Sequence, residues 1–147
     1  MTTTFSTSRP YAAAPAVLFA AIADGARLAR WWGPAGFTNR FERFEFRDGG
    51  SWTFTMIGPD GTRYPNESEF GAIEVDRKVV IRHVNQPHFQ LTITLEATAG
   101  GTLLRWDQAF EDDAVASSLR HICEPANEQN LDRLAEELRA GGSPAAT

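Results

Sequence analysis

The chain has 147 residues, 42% of them hydrophobic, and a formal net charge of −5. That length fits one domain with a sizeable core. An acidic balance without a basic cluster argues against nucleic acid or an anionic membrane surface as partner, and a single cysteine, Cys123, leaves no internal disulfide and points to the reducing cytoplasm.

Residues 3–11 read as a strand, rich in Thr with Phe5 and Tyr11. Their polar start lacks the basic and apolar segments of a signal peptide. The longest mostly apolar stretch, residues 12–23, is too short to span a bilayer. Pro15 suits a first helical turn, and Val17, Leu18, Ala21 and Ile22 recur at helical spacing until Asp24-Gly25. A second short helix over residues 26–32 ends in Trp31-Trp32-Gly33-Pro34. Two adjacent indoles cannot both be covered by one helical turn, so at least one is expected over the strands that follow. Residues 35–40 read as a loop.

From Phe41 the period changes to two. Phe44 and Phe46 alternate with charged residues, and Asp48-Gly49-Gly50 is a turn. Trp52, Phe54 and Met56 alternate with Thr53 and Thr55, the pattern of a half-buried antiparallel strand. After the Gly58-Pro59-Asp60-Gly61 turn, strands follow over residues 63–75, 79–85, 89–98 and 102–110, a meander of hairpins.

Turn lengths fix which side chains share a face. A loop at Asn85-Gln86-Pro87 sets His83 opposite Phe89, Ile81 opposite Leu91 and Val79 opposite Ile93. A loop over residues 98–101 continues that face through Trp106, Gln108 and Phe110, with His88 on the other side. A loop at Pro59-Asp60-Gly61 pairs Met56 with Tyr64, Phe54 with Asn66 and Trp52 with Ser68, so even positions point inward. A loop at Asp76-Arg77-Lys78 pairs Val75 with Val79 and Ile73 with Ile81, so odd positions point inward. One strand meets both demands only with an extra residue, which predicts a β-bulge near Gly71-Ala72, Gly71 accepting left-handed backbone angles. Glu42, Glu45, Glu67, Glu69 and Glu74 then fall on a solvated outer face.

The chain closes in helix. Val115, Leu119, Ile122 and Ala126 make one apolar stripe, and Leu131, Leu134 and Leu138 another, out of phase with the first. Pro125 between them predicts a kink or interruption. Asp132, Arg133, Glu136 and Glu137 fall on the wet side, and residues 141–147 read as a flexible tail beyond a single domain over residues 1–140. Sheet face and helix stripe must cover each other. The fold class is therefore α+β: a curved antiparallel sheet of six to seven strands around a long C-terminal helix, with two short helices after the first strand.

No metal site is expected, since His83, His88 and His121 have neither an i,i+4 pair nor cysteine partners. Neither a nucleophile elbow nor a phosphate loop is present, and Cys123 reads as a small packed residue. For acid–base chemistry the polar handles are His83, Tyr64, Asn66, Gln108 and Asn127. The plainer alternatives are a hydrogen-bonded interior histidine, and asparagines, Asn127 and Asn130, bonded to backbone near the helix break.

Five stretches occur in the order seen in START-like, or helix-grip, proteins. They are Leu28-Ala29-Arg30-Trp31-Trp32-Gly33-Pro34, Phe46-Arg47-Asp48-Gly49-Gly50-Ser51-Trp52, Gly58-Pro59-Asp60-Gly61, Gly101-Thr102-Leu103-Leu104-Arg105-Trp106 and Asn130-Leu131-Asp132-Arg133-Leu134. The chain resembles the bacterial branch similar to the activator of the heat-shock protein 90 ATPase, departing from it in Pro125. The resemblance implies a cavity between sheet and last helix, walled by Trp31, Trp32, Phe46, Trp52, Phe54, Met56, Tyr64, Asn66, Ile81, His83, Phe89, Leu91, Trp106 and Gln108, with Ile93 and Leu104 on the same face. Asn127, Leu131 and Leu134 would close it. The expected function is binding of a small hydrophobic or aromatic molecule by a cytoplasmic monomer or homodimer, without cofactor. The alternatives are a cofactor-free cyclase or hydrolase using the same cavity, and a co-chaperone-like module that binds a chaperone.

Overall fold

The structure, a computed structural model, describes residues 3–141, so of the tail expected at residues 141–147 only the Gly141 backbone falls within it. The elements are β1 (Thr3–Tyr11), α1 (Pro15–Ala23), α2 (Gly25–Trp31), β2 (Thr38–Phe44), β3 (Ser51–Ile57), β4 (Arg63–Glu74), β5 (Lys78–His83), β6 (Phe89–Thr98), β7 (Gly101–Phe110) and α3 (Asp113–Gly141). All strands join one antiparallel sheet in the order β1-β7-β6-β5-β4-β3-β2. The class is α+β, with the curved sheet wrapped around α3.

Local chemistry explains the helix boundaries. Pro15 stands in the first turn of α1. Asp24 separates α1 from α2 and caps the latter, accepting from the backbone N–H groups of Ala26 and Arg27 at 3.0 and 3.3 Å. Asp112 does the same for α3, accepting from Ala114 and Val115 at 2.8 and 3.2 Å. Strand β2 begins at Thr38, inside the expected loop. Residues 38–40 carry no apolar alternation, but Asn39 donates its side-chain amide to the Ala29 and Trp32 carbonyls and so ties this edge strand to α2.

The inward face follows the turn-length argument. His83, Ile81 and Val79 pair with Phe89, Leu91 and Ile93, which pair in turn with Phe110, Gln108 and Trp106. Met56, Phe54 and Trp52 pair with Tyr64, Asn66 and Ser68. The bulge is present. Phe70 pairs with Ile81 and Ile73 with Val79, three residues of β4 spanning two of β5. The β4–β5 turn differs from expectation: Glu74 pairs with Lys78, so Ile73 meets Val79 rather than Ile81. A slip of two keeps every side chain on its face.

The expected reason for Gly71 also changes. Gly71 is not among the glycines of positive φ. A Cβ there would lie 2.9 Å from Val80 Cγ1 and 3.1 Å from the Arg82 guanidinium, so close approach rather than handedness demands glycine. Gly71→Ala is expected to lower stability by about 1–2 kcal/mol through overpacking, measured as a shift of the urea midpoint at unchanged slope.

The core lies where α1, α2 and the C-terminal half of α3 cover the sheet. Leu18, Ile22, Leu28, Trp31, Trp52, Phe70, Ile93, Leu104, Leu131 and Leu134 are all fully buried there. Trp52 stacks on Phe54 (4.3 Å between centroids, 23°) and on Phe70 (5.7 Å, 5°). A smaller cluster of Phe5, Phe110 and Ala116 holds the start of α3. Between Ala116 and Asn130 no side chain of α3 is fully buried.

The helix is continuous through Pro125, so the expected interruption is not there. Pro125 is exposed, as are its neighbours His121 and Glu124. The ring thus replaces the N–H on the exposed side of the helix, and the long helical flanks carry the fold across it. The two stripes out of phase serve different surfaces of one helix.

Two residues assigned to the wet side of α3 are structural bolts. Glu137 is buried and accepts from Arg27 Nε and from Arg30 Nε and Nη2 at 3.0, 3.0 and 2.8 Å. Arg133 donates to the carbonyls of Arg30, Trp32, Gly33 and Pro34 at 2.8, 3.0, 3.1 and 3.0 Å. It thereby caps the C-terminus of α2 and holds the Trp-Trp-Gly-Pro run. Tyr11 adds a third bolt, donating its hydroxyl to the Leu131 carbonyl at 2.8 Å.

Candidate ligand cavity between sheet and helix

Away from α1 and α2 the inward face of the sheet meets empty space. A cavity of about 620 Å³ opens there, roofed by the under-packed middle of α3. Its floor is Phe54 and Met56 of β3, Tyr64, Asn66 and Ser68 of β4, Ile81 and His83 of β5, Phe89 and Leu91 of β6, and Trp106 and Gln108 of β7. Trp32, Gly33, Pro34 and Phe37 close one side, and Gln86 and Pro87 another. The roof is Ile122, Cys123, Ala126, Asn127 and Asn130. The volume lies within the ordinary range for small-molecule sites.

The two indoles divide as their adjacency requires. Trp31 is buried against α1, its indole N–H donating to the Ala21 carbonyl at 3.0 Å. Trp32 turns over the strands, 5.1 Å from Trp52 and 5.7 Å from Trp106, and lines the cavity.

Of the residues expected at the cavity, Trp31, Phe46, Trp52 and Leu131 are not on its wall. Trp31, Trp52 and Leu131 are core, while Phe46 packs on Phe70 and Phe19. Ile93, Leu104 and Leu134 are likewise core. The others named as candidate sites line the cavity. The roof residues Ile122, Cys123 and Ala126 were not expected there, although Ile122 and Ala126 belong to the first apolar stripe of α3. The loop residues Gly33, Pro34, Phe37, Gln86 and Pro87 carry no periodic signal that would have found them.

The polar groups form two clusters. One lies on β4 and β5: His83 Nδ1 is 2.7 Å from the Pro87 carbonyl oxygen, and Nε2 is 2.7 Å from Asn66 Oδ1. The imidazole also stacks on Phe89, with centroids 4.6 Å apart and planes 7° from parallel. The other joins β7 to the roof: Asn127 Nδ2 donates to Gln108 Oε1 at 3.0 Å, and Asn130 Oδ1 accepts from Gly33 N–H at 3.2 Å. Thus Asn127 and Asn130 bond to a side chain and a loop amide rather than to a broken helix. Two strand spacings and two residues of rise separate the Cα atoms of Gln108 and His83 by about 12 Å.

Among the described residues, no Asp, Glu or Lys lines the cavity, and no three His, Cys, Asp or Glu side chains group as metal ligands. Burial pushes the His83 pKa down, against the opposing effect of backbone hydrogen bonds at Pro87 and Asn85, and His88 lowers it further. Burial likewise pushes the Cys123 thiol up, assisted by Glu124. A histidine whose folded pKa lies below its unfolded value binds fewer protons in the native state, so stability falls as pH drops below about 6.5 toward the folded pKa. The free protein is expected to lose melting temperature between pH 7 and 5, and His83→Gln to lose less over that interval.

A family model for activator of Hsp90 ATPase homolog 1-like proteins matches residues 12–139. The chain belongs to this family. Among solved structures it is similar to the AHSA1 protein of Silicibacter pomeroyi, with 26% identity over 95% of this chain and 99% of that one and a TM-score of 0.78. It is similar in fold to a protein of Arthrobacter aurescens (24% identity, 97% and 87% coverage, TM-score 0.86) and to one of Chromobacterium violaceum (22%, 91% and 96%, 0.81). None of the curated proteins matches it. The activator of Hsp90 ATPase homolog 1-like fold agrees with a ligand-binding domain, and among the described residues no helix is long and apolar enough to cross a membrane.

Proposed function

We propose that this protein binds a small hydrophobic or aromatic molecule in the cytoplasm, in the cavity between sheet and α3. The observation that carries this reading is a space of about 620 Å³ walled by Trp32, Phe54, Met56, Phe89, Leu91 and Trp106, with hydrogen-bonded polar groups gathered around His83 and around Gln108. Apolar burial supplies affinity at roughly 25 cal/mol per Å², and the polar clusters set orientation. Among the described residues, the large exposed apolar side chains outside the cavity are Val17, Val75 and Val84. They sit on α1, in the β4–β5 turn and after β5, which gives a chaperone no common patch to dock on. For the alternative of catalysis, His83 is the one lining side chain whose ordinary pKa lies near neutrality.

The test is titration with the uncharged fluorophore 1-aminoanthracene, together with native mass spectrometry of freshly purified protein. Saturable fluorescence enhancement is expected, and Ala126→Trp, which fills the roof side of the cavity, should abolish it while the circular dichroism spectrum is kept. Absence of binding, or binding indifferent to Ala126→Trp, would overturn the reading.

A further inference from the structure

Both ring nitrogens of His83 face oxygen atoms at 2.7 Å. The Pro87 carbonyl can only accept. Asn66 also presents an acceptor, because its Nδ2 donates to the Tyr64 carbonyl at 2.9 Å. Turning that amide over would set two oxygens against each other. A neutral imidazole has one N–H and satisfies one of these contacts. An imidazolium satisfies both.

The charge that the hydrogen bonds call for has nothing to balance it. The titratable or permanently charged groups facing the cavity are Arg63 and Tyr64 from β4, His83 from β5 and Cys123 from α3; β3, β6, β7 and the Trp32–Phe37 segment contribute none among the described residues. On the far side of the His83–Phe89 pair, Arg82, His88 and Glu111 line an outer groove. Inside the cavity every fixed charge is therefore positive or absent, and burial disfavours a lone imidazolium. His83 is held between two demands that the protein does not reconcile. A negative charge brought in on a ligand reconciles them: it completes an ion pair with a ring already fitted with acceptors for both protons. Arg63 at the mouth has the same sign preference.

We propose that the cavity selects a weakly acidic aromatic molecule, a carboxylic acid, phenol or enol on an apolar ring, which binds as its anion while His83 gains a proton, taken from solvent where the ligand is a carboxylate already ionised and from the ligand itself where it is a phenol or enol. This rests on the ligand-binding reading above and specifies its ligand class. The rings of Trp32, Phe89 and Trp106 take the apolar body, and the imidazolium, its two N–H groups already donated to Pro87 and Asn66, attracts the anionic end by charge rather than by a hydrogen bond. Binding and protonation are then linked: affinity is greatest below the free-state imidazole pKa, falls as pH rises from that value toward the bound-state one, and levels off above it.

The experiment compares 2-naphthoate with 2-naphthamide, which share ring and shape and differ in charge, by isothermal titration calorimetry at pH 7.5 in buffers of different ionisation enthalpy. The expected result is a roughly tenfold preference for naphthoate and uptake of about one proton per naphthoate bound, with none for naphthamide. His83→Gln should bring the preference ratio to about one and remove the uptake. Should that variant fail to fold, the His83 Cε1–H resonance of the natural protein supplies the readout, its titration midpoint rising when naphthoate is present. Equal binding of the two compounds, naphthoate binding without proton uptake, or an unmoved His83 midpoint overturns the acidic-ligand proposal and leaves the cavity reading standing. Failure of both compounds to bind overturns the acidic-ligand proposal alone where 1-aminoanthracene still binds, and both readings where it does not.

Discussion

Arg133→Met is expected to destabilise the domain by about 3 kcal/mol, a fall in melting temperature of roughly 6–12 °C for a chain of this size. The guanidinium gathers four backbone carbonyls, those of Arg30, Trp32, Gly33 and Pro34. All four lie at the end of α2 or in the turn that follows it, where the regular helical donors run out. Methionine keeps most of the apolar stem and removes every donor. The Trp32 carbonyl keeps the Asn39 amide and the Pro34 carbonyl keeps the Phe37 N–H, but the Arg30 and Gly33 carbonyls lose their protein donor, and an acceptor left without one costs more than the net value of a hydrogen bond. Arg133→Lys should recover little, because a point charge cannot span four acceptors as a planar fork does. Since Gly33 and Pro34 also wall the cavity, 1-aminoanthracene binding should weaken in the same variant at temperatures where it remains folded. Chemical denaturation measures the first effect and the fluorophore titration the second. A midpoint unchanged within error would show that water replaces the guanidinium at no cost.

Glu137→Gln is expected to cost a similar amount, about 3 kcal/mol, by a different route. Two arginines of α2 converge on one buried carboxylate. Removing its charge leaves Arg27, largely buried itself, without compensation, and breaking one side of such a pair is far more destabilising than the pair is stabilising. The hydrogen bond from Arg30, then that from Arg27, holds the Glu137 pKa below its ordinary 4.5, against burial. A depressed carboxyl contributes stability that is present above pH 4.5 and lost as pH falls toward the folded value. The gap between the natural protein and Glu137→Gln should therefore be constant from pH 7 to 5 and narrow below 4.5, as guanidinium denaturation across that range would show. A gap that does not change with pH would mean that the loss is one of packing alone.

The sheet was legible because its information is local. Turn length and period two determine which residues face inward, and both sit in a few consecutive positions. His83, Trp106 and Gln108 were assigned to the inner face that way, and even the two-residue slip at Glu74–Lys78 left the faces unchanged. What period two does not carry is how far along a strand the helices reach. Trp52 and Ile81 share the inner face; Trp52 lies under α2 and its loop and is core, whereas Ile81 lies beyond them and lines open space. Phe46 follows the same rule, whereas Trp31 and Leu131 sit on α2 and α3, where an apolar helix face does not say whether it meets core or open space. Arg133 and Glu137 were misread because helical periodicity counts charge as exposure. Their partners come from α2, about 100 residues earlier, and a long side chain reaches them from a position a helical wheel marks as wet.

The long helix does two jobs in two stretches. Tyr11, Arg133 and Glu137 fasten the residues after Asn130, and a small aromatic cluster pins the first turns. The span between them covers a void and contributes no fully buried side chain. Substitutions there touch few of the contacts that determine whether the chain folds, yet Ile122, Cys123, Ala126 and Asn127 set the shape of the space underneath. Such a layout uncouples the shape of the cavity from the risk of losing the fold. A lineage can remould that space by mutating the roof alone, at nearly constant thermodynamic stability, while fold-maintaining selection acts on the fastened ends.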